Sequence, residues 1–374
     1  MNLVFNIIAM TVTGSVVFAL FKGMECFTKR YFSAAWHYGI MKCIMLFFCI
    51  PIGLFSDNFV SRFISWNAMA SDYSAQKHGL GIISRMLQTI EGASEIIAAI
   101  WMSGAVILFV RQIIFYLKFR YIIKNNQKAA DKGLLKLANA CGKKQGIGKA
   151  IRLYINEYIN TPMLTGIVSP VIILPAEIMD MGNAEYILNH ELTHYKRKDL
   201  LIKYAMIVIR ILHWFNPFIY QISNTLDKWC EYACDERNAV ELSLEMKKRY
   251  GLAILDAAVS APVTGSGFGT PLLMPKQNLK DRLMFMLNVK KMKKKAIAFS
   301  FVLTVGLISF GFVAALAAEA GNKIQDEVNR AMVSMNVEKG DLTYQASWSA
   351  KLLTGSADIE KGYNILWGDK DIKY

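Results

Sequence analysis

Residues 190–194 read HELTH, and this stretch predicts both a local fold and a chemistry. On an α-helix, His190 and His194 lie one turn apart on the same face. Two imidazoles with this spacing can bind one Zn²⁺ ion at about 2.0–2.1 Å. Glu191 follows the first histidine, where its carboxylate can accept a proton from a water that attacks a peptide carbonyl. The stretch therefore predicts a zinc-binding helix that begins near Asn183 and continues through Lys198.

Acidic side chains for a third metal ligand lie downstream, in the sequence KWCEYACDER of residues 228–237. Catalytic zinc sites use three protein ligands, and we predict Glu231 as the third, on a helix over about 219–249. Asp235 shares its helical face and is expected to hydrogen-bond a ligating histidine or to complete the metal shell. Asp199 either braces the site or caps a helix end. A site with Cys234 in place of Glu231 is the alternative.

An extended segment, TPMLTGIVSPVIILP, precedes the zinc helix at residues 161–175. Its β-branched residues, bounded by proline and glycine, predict a strand or hairpin. Its prolines favour an edge strand over a central strand. Proteases commonly bind substrate as a strand added to a sheet edge. We therefore predict that a peptide substrate binds along an edge strand near Gly166 to Ile173, at Gly166, Ile167 and Val168.

The composition indicates a lipid bilayer as a partner of the chain. Hydrophobic residues make up 54% of the sequence and charged residues only 19%, whereas a soluble domain carries about 25% charge. The stretches that approach the roughly 20 apolar residues of a membrane span are 3–21, 33–55, 96–117 and 296–318. A further apolar run, 200–222, is interrupted by charged residues and Pro217, and we favour a helix packed in the protein over a fifth span.

The basic residues predict how the chain is oriented in the membrane. Residues 118–160 contain ten Lys or Arg, and residues 276–295 contain eight, so the positive-inside rule places both in the cytoplasm. Because the net charge of +14 is concentrated beside apolar spans, direct nucleic-acid binding is not expected.

The expected protein is a multi-pass protein of the plasma membrane with both termini external. The predicted domains are three transmembrane helices with an external loop at about 56–95 (1–117), a cytoplasmic zinc metallopeptidase domain (118–292), a fourth transmembrane helix (293–318) and an external tail (319–374).

Three sequence runs carry a resemblance to a known family. NHELTHYKRKDL (189–200), HWFNPF (213–218) and EYACDE (231–236) occur in this order. Together with the spans over about 1–318, they resemble the BlaR/MecR family of membrane zinc metallopeptidases. The fold that this resemblance implies is an α-helical membrane protein with a cytoplasmic α+β gluzincin-like zinc metallopeptidase domain.

The resemblance also implies residue roles and partners. It places the metal ligands on His190, His194 and Glu231, and the general base on Glu191. It implies a peptide or protein substrate, such as a transcriptional repressor or the chain itself, and it leaves a homodimer open. The tail 319–374 contains no Ser-x-x-Lys sequence, so direct sensing of β-lactams by acylation is not expected. The alternative function is a non-enzymatic transmembrane signal transducer with a structural zinc site.

Overall fold

The computed structural model describes residues 3–50, 94–159, 161–166, 168–176, 181–259, 277–289, 291–333, 335–337, 343–346 and 363–366. The chain divides into two compact units. One unit comprises Gly14–Cys49 and Ala99–Ile308, and it contains every residue of the candidate site.

The described part of the chain is mostly helical. Its helices are α1 (Leu3–Tyr31), α2 (Ala34–Cys49), α3 (Ser94–Asn126), α4 (Lys132–Lys144), α5 (Met181–Arg197), α6 (Asp199–Leu212), α7 (Pro217–Ala239), α8 (Leu244–Val259), α9 (Gln277–Asn288) and α10 (Lys294–Val333). Its strands are β1 (Gln127–Ala129), β2 (Arg152–Asn156), β3 (Met163–Thr165), β4 (Val171–Pro175), β5 (Met335–Val337), β6 (Thr343–Ala346) and β7 (Tyr363–Leu366).

Three helical segments are long and apolar enough to cross a bilayer: Asn6–Tyr31, Glu95–Asn126 and Lys294–Leu316. Even the shortest extends about 35 Å at 1.5 Å per residue, against a hydrocarbon core about 30 Å thick. Large apolar side chains of α3, such as Ile107 and Phe109, are exposed, as expected for a helix that lipid covers. The chain is therefore a membrane protein, while the number of crossings and the orientation stay predictions.

The second predicted span is only partly described. α2 is apolar but has 16 residues, which extend about 24 Å, less than a bilayer requires. The residues of this predicted span that follow Ile50 lie outside the described part of the chain.

The apolar run 200–222 does not form a single helix. α6 ends at Leu212, and α7 begins at Pro217. The break arises because the Asn216 side chain accepts a hydrogen bond from the Phe218 amide at 3.0 Å and proline occupies the first turn of α7. The single helix predicted over 219–249 is also wrong. α7 ends at Ala239, and Ser243 starts α8 by accepting a hydrogen bond from the Met246 amide.

Strands β1 to β4 form one sheet in the order β1-β2-β4-β3. β2 and β4 are parallel, and the two outer pairs are antiparallel. In the central strand β4, Ile172, Ile173 and Leu174 are fully buried. The predicted hairpin over 161–175 is confirmed as β3–β4, with β3 at the edge of the sheet. Strands β5 to β7 form a separate antiparallel sheet.

The edge strand lies earlier than the sequence predicted. Gly166 and Val168 fall in the turn between β3 and β4, and Ile167 lies outside the described residues. The chain reverses at Gly166 because this residue has a φ of +83°, which favours glycine. A Cβ atom there would lie 2.3 Å from the Ser169 carbonyl oxygen. The edge strand predicted near Gly166 to Ile173 is therefore wrong at Gly166 and Val168, which lie outside the strands, whereas Val171 to Ile173 belong to the central strand β4.

The helix predicted from 183 to 198 is confirmed as α5, which ends at Arg197, and the sheet sets its orientation. Leu188 and Leu192 are completely buried in a core that α4, β2 and β4 share with α5. They lie two positions before His190 and His194, which is about 200° around a helix. Packing of the leucines on the sheet therefore turns both histidines toward the opposite side, where α7 lies.

The hairpin turn gives a test of the fold. Gly166→Ala is expected to lower the apparent melting temperature of the detergent-solubilised protein, because it combines left-handed strain of about 1 kcal/mol with a steric clash. Two glycines serve as controls. Gly146 has a φ of +76° but open space around it, and Gly148 has open space and no positive φ. The expected order of loss is Gly166, then Gly146, then Gly148. Equal losses at Gly166 and Gly148 would contradict this account of the turn.

Candidate metal centre

Two histidine side chains of α5 converge on one point beside α7. His190 and His194 are 4% and 8% exposed, and their Nε2 atoms are 3.1 Å apart. α5 is held against α7 by backbone-directed bonds: the Cys234 thiol donates to the His190 carbonyl oxygen at 3.3 Å, and the Arg197 guanidinium donates to the Cys230 carbonyl oxygen at 3.3 Å. The two helices therefore face each other in a fixed register at the histidines.

Glu231 of α7 brings its carboxylate to the same point. Its Oε2 atom lies 3.3 Å from His190 Nε2, and its Oε1 atom lies 3.5 Å from His194 Nε2. The side chain is 15% exposed. The structure thus brings together the three side chains that the sequence predicted as ligands.

These donors fit a zinc ion in both type and spacing. Two imidazoles and one carboxylate form a common ligand set of catalytic zinc sites, which keep a fourth position open. Ligand atoms about 2.0–2.1 Å from a tetrahedral ion are about 3.3 Å apart. The three distances observed between His190, His194 and Glu231 span 3.1 to 3.5 Å.

A thiol offers a second arrangement at the same place. Donor atoms of His190, His194 and Cys234 all lie within 4.8 Å of one another, and so do those of His194, Asp199 and Cys230. The Glu231 oxygens lie 3.3 and 3.5 Å from the two Nε2 atoms, which matches the spacing of zinc ligands, whereas the Cys234 thiol donates to the His190 carbonyl oxygen. Geometry therefore favours the carboxylate over the Cys234 alternative.

A carboxylate braces His194 from behind. Asp199 Oδ2 lies 2.7 Å from His194 Nδ1, and the side chain is 1% exposed. Its other oxygen accepts a hydrogen bond from the Tyr38 hydroxyl at 3.0 Å and lies 3.5 Å from Arg197 Nε. A carboxylate on the far nitrogen fixes the ring orientation and leaves Nε2 as the donor to a metal.

His190 is braced through a tyrosine and a second carboxylate. Its Nδ1 atom lies 2.8 Å from the Tyr250 hydroxyl and 3.2 Å from Asp235 Oδ1. The Tyr250 hydroxyl donates to Asp235 Oδ1 at 2.7 Å. Burial alone would raise the pKa of Asp235, but Arg282 and His190 lower it to about 2. Asp235 is therefore ionised at neutral pH and holds both of its neighbours.

Arg282 of α9 enters this cluster as its main cation. Its guanidinium binds both oxygens of Asp235, at 2.5 and 2.9 Å. The Nη2 atom also lies 3.2 Å from His190 Nε2 and 3.3 Å from Glu231 Oε2. Arg282 thus compensates two carboxylates and touches the donor atoms themselves.

Glu191 lies in the same buried environment, 8% exposed. Lys203 of α6 interacts electrostatically with Glu191, and its ammonium lies 3.7 Å from Glu231 Oε1. Burial alone would lower the pKa of Lys203, but these carboxylates and their neighbours raise it above the ordinary lysine value. The site therefore contains a permanent positive charge on the α6 side.

The sequence did not reveal Tyr38, Tyr250, Arg282 or Lys203 as site residues. Tyr38 is separated from Asp199 by 161 residues, and Arg282 from Asp235 by 47, so no helical spacing connects them. The only signal in the sequence was the basic character of 276–295.

His213 lies outside the site, with its Nε2 atom 3.0 Å from the Phe48 carbonyl oxygen.

The chain is similar in sequence to known proteins. A family model described as BlaR1 peptidase M56 matches residues 5–286. Regulatory protein BlaR1 of Bacillus licheniformis is 29% identical over 220 residues, which are 57% of this chain and 36% of that protein. A methicillin resistance mecR1 protein of Staphylococcus aureus is 28% identical over 206 residues, 53% of this chain and 34% of that protein.

The region of similarity covers only part of these relatives. It spans about a third of the length of these relatives. The family model, however, covers well over half of the chain. The protein therefore belongs to the BlaR1 peptidase M56 family.

Proposed function

We propose that the chain is a membrane-bound zinc endopeptidase of gluzincin type, with His190, His194 and Glu231 as metal ligands. The observation that carries this proposal is the convergence of their donor atoms within 3.5 Å. Family membership supports a metallopeptidase. A bound zinc ion would supply Lewis-acid chemistry that polarises a peptide carbonyl and lowers the pKa of the attacking water, so that it is more easily deprotonated.

The residues of the chain have separate roles in this proposal. Glu191 accepts the proton of the attacking water and passes it to the leaving amine. Asp199 and Asp235 hold the two imidazoles in the tautomer that leaves Nε2 free. β3 lies against α5 at the sheet edge, and it binds the substrate backbone as an added strand. Gly166 and Val168 follow this strand in the turn, and with Ile167 they remain the residues proposed from the sequence to contact substrate.

We infer a role in transmembrane signalling. The relatives are named as a regulatory protein and as methicillin resistance proteins. The basic segments that flank the site support a cytoplasmic location for it. The substrate that fits this location is a cytoplasmic protein, such as a transcriptional repressor, or the chain itself.

Metal analysis tests the ligand set. The purified full-length protein is expected to contain one zinc per chain, and His190→Ala and Glu231→Ala to lose most of it. Cys234→Ser is the control, because it removes the alternative ligand and leaves the carboxylate. Zinc content is measured by plasma mass spectrometry. Loss of zinc in Cys234→Ser with retention in Glu231→Ala would assign the third ligand to the thiol.

Replacement of the base separates an enzyme from a passive transducer. Glu191→Gln is expected to retain zinc and to lower cleavage by about 100-fold or more. The new N-termini that proteolysis creates are quantified in cells that express the wild-type protein or the Glu191→Gln variant. The matched control is Glu185→Gln, an exposed glutamate of the same helix. Identical termini and intact signalling in Glu191→Gln cells would favour a transducer with a structural zinc site.

The acidic surroundings predict a pH dependence of metal binding. Burial alone would lower the pKa of His190 and His194, but Cys234 and the nearby carboxylates raise both well above the ordinary histidine value. Each proton on these rings must leave before a metal binds. Zinc affinity, measured by competition with a chelator, is therefore expected to fall as pH falls and to keep rising above pH 7. A plateau from pH 6.5 upward would contradict the raised pKa values.

A further inference from the structure

The junction between α5 and α6 places Asp199 under His194. Lys198 separates the two helices and has a φ of +58°, the only positive value among the described non-glycine residues. A side chain in this region costs of order 1–3 kcal/mol, and such residues cluster at functional sites. The left-handed turn at Lys198 separates the two helices, and the side chain of Asp199, the first residue of α6, lies 2.7 Å from the His194 Nδ1 atom.

Tyr38 approaches this carboxylate from a different part of the chain. It belongs to α2 and is 3% exposed. Its hydroxyl donates to Asp199 Oδ1 at 3.0 Å, while Asp199 Oδ2 faces His194. The guanidinium of Arg197 lies 4.6 Å from the centre of the Tyr38 ring. The tyrosine therefore occupies one oxygen of Asp199 and leaves the other for the histidine.

Other contacts fix α2 against the helix that carries Glu231. The His37 and Trp229 rings stack with their centroids 3.9 Å apart. The Glu236 carboxylate accepts a hydrogen bond from the Ala35 amide at 2.9 Å, at the first turn of α2. These contacts hold the Tyr38 backbone in place relative to α7, so the hydroxyl reaches Asp199 from a rigid support.

We propose that Tyr38 is a positioning residue for the ligand His194, and that it acts through Asp199. This inference rests on the proposed function, since it concerns the geometry of the same metal ligand. Without the hydroxyl, Asp199 Oδ1 keeps only the longer contact to Arg197, and the carboxylate rotates away from His194 Nδ1. The imidazole then loses the partner that fixes its tautomer and its direction.

The test uses the full-length protein in detergent and the substitution Tyr38→Phe, which removes only the oxygen atom. Zinc dissociation into excess chelator is expected to become about three- to ten-fold faster. This factor corresponds to the loss of one hydrogen bond to a residue that supports a metal ligand. The absorption bands of the cobalt-substituted protein are expected to shift, because they report the geometry of the metal ligands. Tyr121→Phe, at an exposed tyrosine of α3, serves as the control.

A double-mutant cycle separates positioning from general stability. In an Asp199→Asn background, Tyr38→Phe is expected to change zinc dissociation no further, because its effect passes through the carboxylate. Additive effects would overturn the proposal, and so would an unchanged rate and spectrum in the single variant. A large drop in the melting temperature of the metal-free protein would assign Tyr38 to stability and overturn it too. Failure of the wild-type protein to bind zinc would reject the proposed function instead.

Discussion

Buried negative charge is the constraint on which the rest of this site depends. Asp199 and Asp235 are almost completely buried, Glu191 is 8% exposed, and the Glu231 side chain is 15% exposed. An uncompensated buried carboxylate costs several kcal/mol. The protein meets this cost with cations and donors from separate elements, namely Arg197, Lys203, Tyr38, Tyr250 and Arg282. The same pairing that makes the carboxylates tolerable also aims the two imidazoles, so stability and metal geometry have a common origin.

Helical periodicity explains what could be predicted from the sequence. The four-residue spacings of His190 and His194, and of Glu231 and Asp235, are local patterns that an α-helix converts directly into shared faces. Runs of about 20 apolar residues likewise predicted the long membrane segments. Asp199 was recognised as a candidate because it lies only five residues from His194, although the left-handed turn that directs it was not visible.

Long-range pairing explains what could not be predicted. Tyr250, Arg282 and Tyr38 reach the site only through tertiary packing, and no short sequence motif encodes it. The edge strand was misplaced for a related reason. Ile167 and Val168 are β-branched and favoured a strand, although Gly166, Ser169 and Pro170 beside them are turn-forming residues, and the positive φ at Gly166 fixes the reversal. The single helix predicted over 219–249 is two helices in the structure. The pattern of charged and apolar residues continues across the break, whereas the serine cap that starts α8 depends on one residue, Ser243.

The connection between α9 and α10 has a mechanical consequence. Residues 289–293 alone separate the two helices, and the Val289 carbonyl oxygen is pinned by Lys247 Nζ at 2.7 Å. Lys247 belongs to α8, which also carries Tyr250, while Arg282 projects from α9. Two partners of Asp235, Tyr250 and Arg282, therefore lie on helices that this bond ties to the segment just before the last apolar helix.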